Sequence, residues 1–294
     1  MYSLAAIVQK PRSRLLHVSD LHAGRRETPG VADGLPELAR DLGVEAILAT
    51  GDLAHRGRRA QLETARGVLE EAGVPVVAVP GNHDIPYTFP ARFSSPWAEW
   101  ERVFGDPDPV YRSETLVVVG LNSVRPWRHQ SGRIVPARLE RVAAELRHVP
   151  SGALRLVACH HHLAGSPGRA PRKRPLAHRS AALGALVAAG VELVAGGHIH
   201  QASIALRPEF EAMDGDRSAA VVLATAPGLG RPRPHRQGEA QGLLLYEWDE
   251  SELAIVTYVW QTGTFRPVAR RSFPRDFNPT EQEDERTWMR PTPS

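Results

Sequence analysis

The chain has a single cysteine, Cys159, in 294 residues. This excludes any intrachain disulfide, argues against a structural cysteine-zinc site, and makes a reducing compartment the simpler expectation. No apolar run approaches the ~18 residues that a membrane helix needs, so no membrane span is expected. Residues 1–9 lack a charged leader region, a long apolar stretch and a small-residue cleavage site; no export is expected, and the cytoplasm is the default compartment. A charge of one sign is missing too. The 36 basic and 33 acidic residues leave a formal +3 with histidine neutral, too small an excess to point to nucleic acid by itself. Nor is there an internal repeat or a long low-complexity tract. What is there is 42% hydrophobic residues, enough for a sizeable core, on a length that fits one large domain or two small ones.

Chemistry-bearing residues gather at strand ends. Residues 75–80, Pro-Val-Val-Ala-Val-Pro, are too short for a typical helix and rich in valine, which predicts a buried strand. Gly81-Asn82-His83-Asp84 follow at its end, the place where an α/β sheet binds ligands, although such a tetrapeptide alone also reads as turn chemistry. Four other strands finish in the same way. Residues 15–19 run into Asp20-Leu21-His22, residues 46–50 into Gly51-Asp52, residues 154–159 into His160-His161-His162, and residues 191–195 into Gly196-Gly197-His198-Ile199-His200.

Between the first three strands lie two helical patterns. Residues 35–42 carry leucines at helical spacing and stop at Gly43; residues 58–72 carry Leu62, Ala65, Leu69 and Ala72 and stop at Gly73. The resulting βαβαβ start predicts a parallel sheet with right-handed crossovers. Residues 85–108, rich in proline and aromatics, predict a cap beside the site with a short helix near 97–104. Trp97, Trp100 and Phe104 are read there as packing rather than stacking a base. Residues 110–112 and 116–119 predict a hairpin. Pro136 opens a helix whose apolar face is Leu139, Val142, Ala143 and Leu146, and residues 181–189 form another, stopped by Gly190. Residues 163–178 place Arg169, Arg172, Lys173 and Arg174 among Pro167, Gly168, Pro171 and Pro175, a basic loop read as solvated. Beyond His200, β-rich runs at 203–206, 219–224, 243–248, 253–260 and 264–269 predict antiparallel pairing. A single domain is expected over residues 1–272, followed by a proline-rich, charged and loosely packed tail at 273–294.

Asp20, His22, Asp52, Asn82, His160, His198 and His200 amount to the ligand count of two metals. Mixed imidazole and carboxylate donors suit Zn, Mn or Fe better than Ca or Mg. In a two-metal site one carboxylate bridges ions roughly 3.5–4 Å apart, and Asp52, between the other ligands in chain order, is the candidate. Such a bridge also needs a water or hydroxide. His17, His55, His129, His148, His178 and His235 sit in no such motif and are read as ordinary core or surface residues, with His129 alone in a loop placed to face the site.

Asp-x-His, Gly-Asp, Gly-Asn-His-Asp, a His-rich strand end and Gly-His-x-His, in this order over residues 14–201, resemble the calcineurin-like metallophosphoesterase superfamily. Each motif is weak alone; five in order are highly specific. The resemblance implies an α/β fold of four layers, a two-sheet β-sandwich flanked by helices, with the trailing strands in the second sheet. It implies that Asp20, His22, Asp52 and His200 hold one metal and Asp52, Asn82, His160 and His198 the other. It implies catalytic roles for His83, donating a hydrogen bond or proton toward phosphate and leaving group, and for Asp84, orienting His83. The family has two histidines followed by proline where this chain has His160-His161-His162-Leu163. His160, the first polar residue after the strand, is the preferred ligand; His161 or His162 takes that place if the strand ends later, and otherwise lines the pocket.

Asn122, Arg125 and Arg128 are further candidate substrate contacts. Gly-Asn-His-Asp, together with Leu121-Asn122-Ser123, Gly132 and the amphipathic helix after it, resembles the bacterial cyclic-nucleotide phosphodiesterase branch. The implied activity is hydrolysis of a small phosphoester, diesters first and cyclic nucleotides among them, with two divalent or trivalent transition-metal ions (Mn, Zn or Fe). Alternatives within the superfamily are a phosphomonoesterase, a nuclease or a nucleotide-sugar-lipid pyrophosphatase. A nuclease, and nucleic acid as partner, are disfavoured because the chain has little room for a capping domain. The non-enzyme alternative is a metal-binding interaction protein on the same fold, disfavoured because no ligand is missing.

Overall fold

The computed structural model describes residues 12–25, 28–164, 173–207, 220–233 and 238–275. In β1 (Ser13–Val18), Leu15 and Leu16 point to opposite faces and both are fully buried, so a layer covers the strand on either side. From it the chain alternates through α1 (Val31–Leu42), β2 (Ala46–Ala49), α2 (Arg59–Glu70) and β3 (Val76–Ala78), with the three strands parallel. Leu35 and Ala39 of α1 and Leu62, Ala65 and Leu69 of α2 pack on Leu16, Val18, Ile47 and Ala49. Gly43 ends α1 at φ 59° and returns its amide to the carbonyls of Ala39 and Arg40, the capping geometry its sequence position predicts.

After α3 (Ala91–Ser94) and α4 (Ala98–Val103), the antiparallel pair β4 (Val110–Arg112) and β5 (Leu116–Gly120) opens a second sheet. It continues through α5 (Pro136–Glu145), β6 (Leu154–Ala158), α6 (Arg179–Ala188), β7 (Leu193–Gly196), β8 (Ser203–Leu206) and β9 (Val222–Thr225). β5, β6, β7 and β9 are parallel neighbours, and β8 pairs antiparallel with β9 at the edge. Val142 of α5 and Leu183 and Leu186 of α6 cover the outer face against Val117, Val157 and Val194. The inner faces of the two sheets meet in one core that includes Leu15, Leu48, Val77, Val118, Leu156 and Leu193. The layers are therefore helix, sheet, sheet, helix.

The chain ends in an antiparallel meander, β10 (Gly242–Trp248), β11 (Glu252–Gln261) and β12 (Thr264–Pro274). The resemblance implied the second sheet for all the trailing strands; β8 and β9 lie there, but this meander does not. β10 pairs with β1, Tyr246 opposite Leu15, so the orders are β12-β11-β10-β1-β2-β3 and β4-β5-β6-β7-β9-β8. The reason is the open edge that β1 presents on the side away from β2, which a strand of matching alternation closes. The expected tail boundary also moves. Phe273 is 4% exposed inside the sandwich core, and Arg275 pairs with Glu192 at 2.8 Å, so the packed chain runs through residue 275. The rest of the expected tail lies outside the described residues. Trp100 is completely buried and stacks on Phe104 at 4.6 Å, a packing role. Among the described residues no helix is long and apolar enough to cross a membrane.

His17 is a core residue with a thermodynamic signature. It is fully buried, with Nδ1 2.5 Å from the Tyr246 hydroxyl and Nε2 2.8 Å from the Thr50 hydroxyl. Burial pushes its pKa down to about 3, only partly opposed by Asp20. The unfolded chain protonates this histidine near pH 6.5 and the folded chain does not until far lower pH, so stability falls as pH drops below about 6.5. Urea unfolding at pH 7 and pH 5 should show His17→Gln losing roughly 2 kcal/mol less than the unsubstituted chain over that interval.

Candidate metal centre at the strand ends

Strands of both sheets deliver their C-terminal ends to the same side of the sandwich. The loops after β1 and β2 run together, the Asp20 amide donating to the Gly51 carbonyl and the His22 amide to the Asp52 carbonyl, both at 2.9 Å. Asp20, His22, Asp52, His198 and His200 have φ of 54°, 54°, 51°, 73° and 58°, five of the seven non-glycine residues with positive φ among the described ones. Such backbone costs about 1–3 kcal/mol per residue and persists where the surroundings enforce it. Gly51, itself at φ 82°, abuts the backbone of Gly81, and a Cβ there would collide with it. At the site two bonds cross between the sheets' loops. The His198 amide donates to Asp20 Oδ2 at 2.9 Å, and His160 Nδ1 donates to the Thr50 carbonyl at 2.7 Å.

The side chains form two buried clusters. In the first, Asp20 Oδ1 is 3.0 Å from His200 Nε2, and His22 Nε2 is 3.2 Å from His200 Nε2 and 3.9 Å from Asp20 Oδ1. In the second, His160 Nε2 lies 3.4 Å from Asp52 Oδ1, 3.2 Å from Asn82 Oδ1 and 3.1 Å from His198 Nδ1. The other Asp52 oxygen, Oδ2, faces the first cluster, 3.9 Å from His22 Nε2. In the neutral ring His160 Nδ1 carries the proton given to Thr50, which leaves the Nε2 lone pair for a cation. Ligands held about 2.0–2.1 Å from a tetrahedral zinc-sized ion stand roughly 3.3–3.4 Å apart, close to these separations. Asp52 Oδ2 is buried without a hydrogen-bond partner among the described residues. The donor set therefore fits a cation in each cluster, and Asp20, His22 and His200 and Asp52, His160 and His198 are groups able to hold one.

The electrostatics agree. Burial works against ionisation of Asp20 and Asp52, yet His200 beside the first and His160 beside the second leave both carboxyls below their ordinary range. Burial holds His22 well below its usual value, and burial followed by Lys173 does so for His198. At His160 burial disfavours the proton, but Asp52 outweighs it and lifts the pKa to about 9. Ionised carboxylates and neutral imidazoles are the forms that metals bind, and a cation in the second cluster would replace the His160 proton.

His83 stands beside the clusters, half-buried, its ring edge-on to that of His22 at 4.8 Å. Its Nδ1 is 2.9 Å from the His55 carbonyl and 2.7 Å from the Tyr87 hydroxyl. These two groups, and not Asp84, orient it. Both Asp84 oxygens accept backbone amides, from Ala54 and Gly81 at 2.7 Å, so the carboxylate ties the loop after β3 to the loop after β2. Burial and the nearby Asp52 charge push Asp84 up to about 8, against those two amide bonds.

Other expected residues separate. His161 is buried, with Nδ1 2.8 Å from Ser123 Oγ and its ring 4.7 Å from His198; the His162 ring lies 6.1 Å from His198. Asn122 holds its own loop instead of facing a ligand. Its Oδ1 accepts the Val124 amide at 3.0 Å, and its amide donates to Asp108 at 2.7 Å. Arg125 is half-exposed and Arg128 exposed, joined by a turn in which the Arg128 amide donates to the Arg125 carbonyl at 2.9 Å.

Three residues outside the expected ligand set are neighbours of the site. The His55 and His129 rings lie 5.9 and 5.3 Å from His83, and His22, His55 and His83 form a third group able to hold an ion. Lys173, read as solvated, is 6% exposed, and after burial it is the main cause lowering His162 to about 4. The rest of that basic cluster, apart from Arg174, is outside the described residues. Position on the Asp52 loop was the one available signal for His55.

A family model described as calcineurin-like phosphoesterase matches residues 13–202. A stretch of 130 residues is 28% identical to the DNA double-strand break repair protein Mre11 of Sulfurisphaera tokodaii, covering 38% of this chain and 34% of that protein. Another, of 94 residues, is 38% identical to a cAMP/cGMP dual specificity phosphodiesterase of Mycobacterium tuberculosis, covering 27% of this chain and 30% of the relative. The matches thus span about a third of each relative. Among solved structures, purple acid phosphatase PPD1 from yellow lupin seeds is similar with a TM-score of 0.71 over 92% of this chain and 55% of that one; at 14% identity the likeness is one of fold.

Elemental analysis of dialysed protein tests the shared role of Asp52. About two ions per chain are expected in the unsubstituted protein, about one in His198→Ala, and fewer than one in Asp52→Asn. Asp84→Ala, which strands two buried amides, should lower the free energy of unfolding in denaturant by about 1–3 kcal/mol.

Proposed function

Because the chain belongs to the calcineurin-like phosphoesterase family, we propose that it hydrolyses phosphodiesters at a centre of two transition-metal ions. The observation that carries this reading is Asp52, whose Oδ1 faces the His160 cluster and whose Oδ2 faces the His22 cluster. A carboxylate so placed serves two ions at once. Asp20, His22, Asp52 and His200 would hold one and Asp52, Asn82, His160 and His198 the other. When bound, the ions supply Lewis acidity to the phosphoryl group and an activated water.

The remaining work falls to the chain itself. Asp84 fixes the loop that presents Asn82 and His83. The His55 carbonyl and the Tyr87 hydroxyl hold His83 Nδ1, and Nε2, 3.3 Å from the same hydroxyl, would give a hydrogen bond or proton to the departing oxygen. Lys173, buried near His198, adds positive charge for an anionic substrate. The named activity of the mycobacterial relative supports a diester, with cyclic nucleotides as candidates.

Hydrolysis of bis(p-nitrophenyl) phosphate and p-nitrophenyl phosphate, measured after chelation and again after Mn or Zn add-back, tests the reading. Metal-restored preference for the diester is expected; preference for the monoester, or turnover that chelation leaves intact, would overturn it. His83→Ala should keep its metal content and lose about 10²–10⁴-fold in kcat.

A further inference from the structure

Four large rings stand at the surface on the two loops whose residues Tyr87 and His129 border the metal centre. Phe89 is 82% exposed, Trp127 71%, and Tyr87 and Phe93 38% each. Apolar surface gathered in one place marks a binding site more often than scattered exposure does. Phe93 and Trp127 stack with centroids 4.5 Å apart and planes 11° from parallel. Tyr87 lies 5.2 Å from the His129 ring and 5.4 Å from that of His83, so the lip that the two loops make is continuous with the centre.

A buried cation holds the lip together. Arg92, 7% exposed, donates from Nε to the Pro126 carbonyl at 2.8 Å and from Nη1 to the Pro86 carbonyl at 3.0 Å, and its guanidinium lies 5.9 Å from the Tyr87 ring centre. It thereby fastens the loop bearing Tyr87, Phe89 and Phe93 to the loop bearing Trp127 and His129. Rings fixed before a ligand arrives lose little freedom when it binds.

We propose that Phe93 and Trp127, with Tyr87 at their inner end, form a stacking subsite for a nucleobase, which makes a nucleoside phosphodiester the substrate class. The assignment rests on the phosphodiester reading above. A near-parallel pair of rings offers one flat π-face, which a flat base matches. An acyl chain calls for an enclosed apolar tunnel, whereas this lip is open and bordered by imidazole, phenol and the arginines Arg125 and Arg128. Stacking tolerates any base, since each has such a face.

Two esters with the same leaving group separate base from phosphate: p-nitrophenyl thymidine 5′-phosphate and ethyl p-nitrophenyl phosphate. Trp127→Ala is expected to raise KM for the thymidine ester about tenfold with kcat and the ethyl ester unchanged, and Trp127→Phe to restore most of the loss. Calorimetric titration with adenosine 5′-monophosphate, which needs no turnover, should show the same tenfold weakening. Equal losses for both esters would place the nitrophenyl group or general loop damage there and overturn the subsite, as would no change in either. If neither ester turns over in the unsubstituted protein, the phosphodiester reading fails by itself, and the titration still decides the base.

Discussion

In the second cluster a carboxylate, an amide and two imidazoles crowd together. His160 gives its one proton to the Thr50 carbonyl, and its other nitrogen meets Asp52, Asn82 and His198 at 3.1–3.4 Å. Lone pairs at such distances repel in a buried setting unless a positive charge lies among them. The fold supplies the constraint that keeps them there. Asp52 and Asn82 come from the first sheet, His160 and His198 from the second, so the dry core between the sheets sets the separation. The bonds from His198 to Asp20 and from His160 to Thr50 lock it at the mouth. Without a cation a proton must lie among them, and the raised pKa of His160 is one form that takes.

Much of this was legible because metal ligands and strand ends are local patterns. The valines of β3 and the Gly-Asn-His-Asp after them, or Leu193–Gly196 and the Gly-His-x-His that follows at once, state both an element and its terminus within ten residues. Partner choice is different in kind. That β10 pairs with β1 rather than with the second sheet depends on an edge more than 220 residues earlier in the chain. Arg275 belongs to the packed domain because of Glu192, 83 residues away. For the same reason His55 and Lys173 read as unremarkable. Only the folded loops bring them beside His83 and His198, and no spacing in the sequence encodes that approach.

Floor and lip are built by different rules. The ligands sit on strand ends within two hydrogen-bonded sheets, where position is inherited from the ladder. The lip is made of loops, and a single buried guanidinium performs the fastening that a ladder performs below. His83 belongs to both. Its amide is held at 2.7 Å by Asp52 Oδ1, while its ring is held by Tyr87.

The left-handed backbone at Asp20, His22, Asp52, His198 and His200 narrows the paths open to this sequence as it drifts. Asparagine, aspartate and histidine enter that region more readily than other side chains, and glycine freely. A glutamate at position 52 would keep the charge and lose the tolerated conformation; a glycine would keep the conformation and lose the ligand. Few neutral steps therefore lead away from these positions, while the loops of the lip, whose backbones carry no such restriction, are free to diversify what the floor is given to cut.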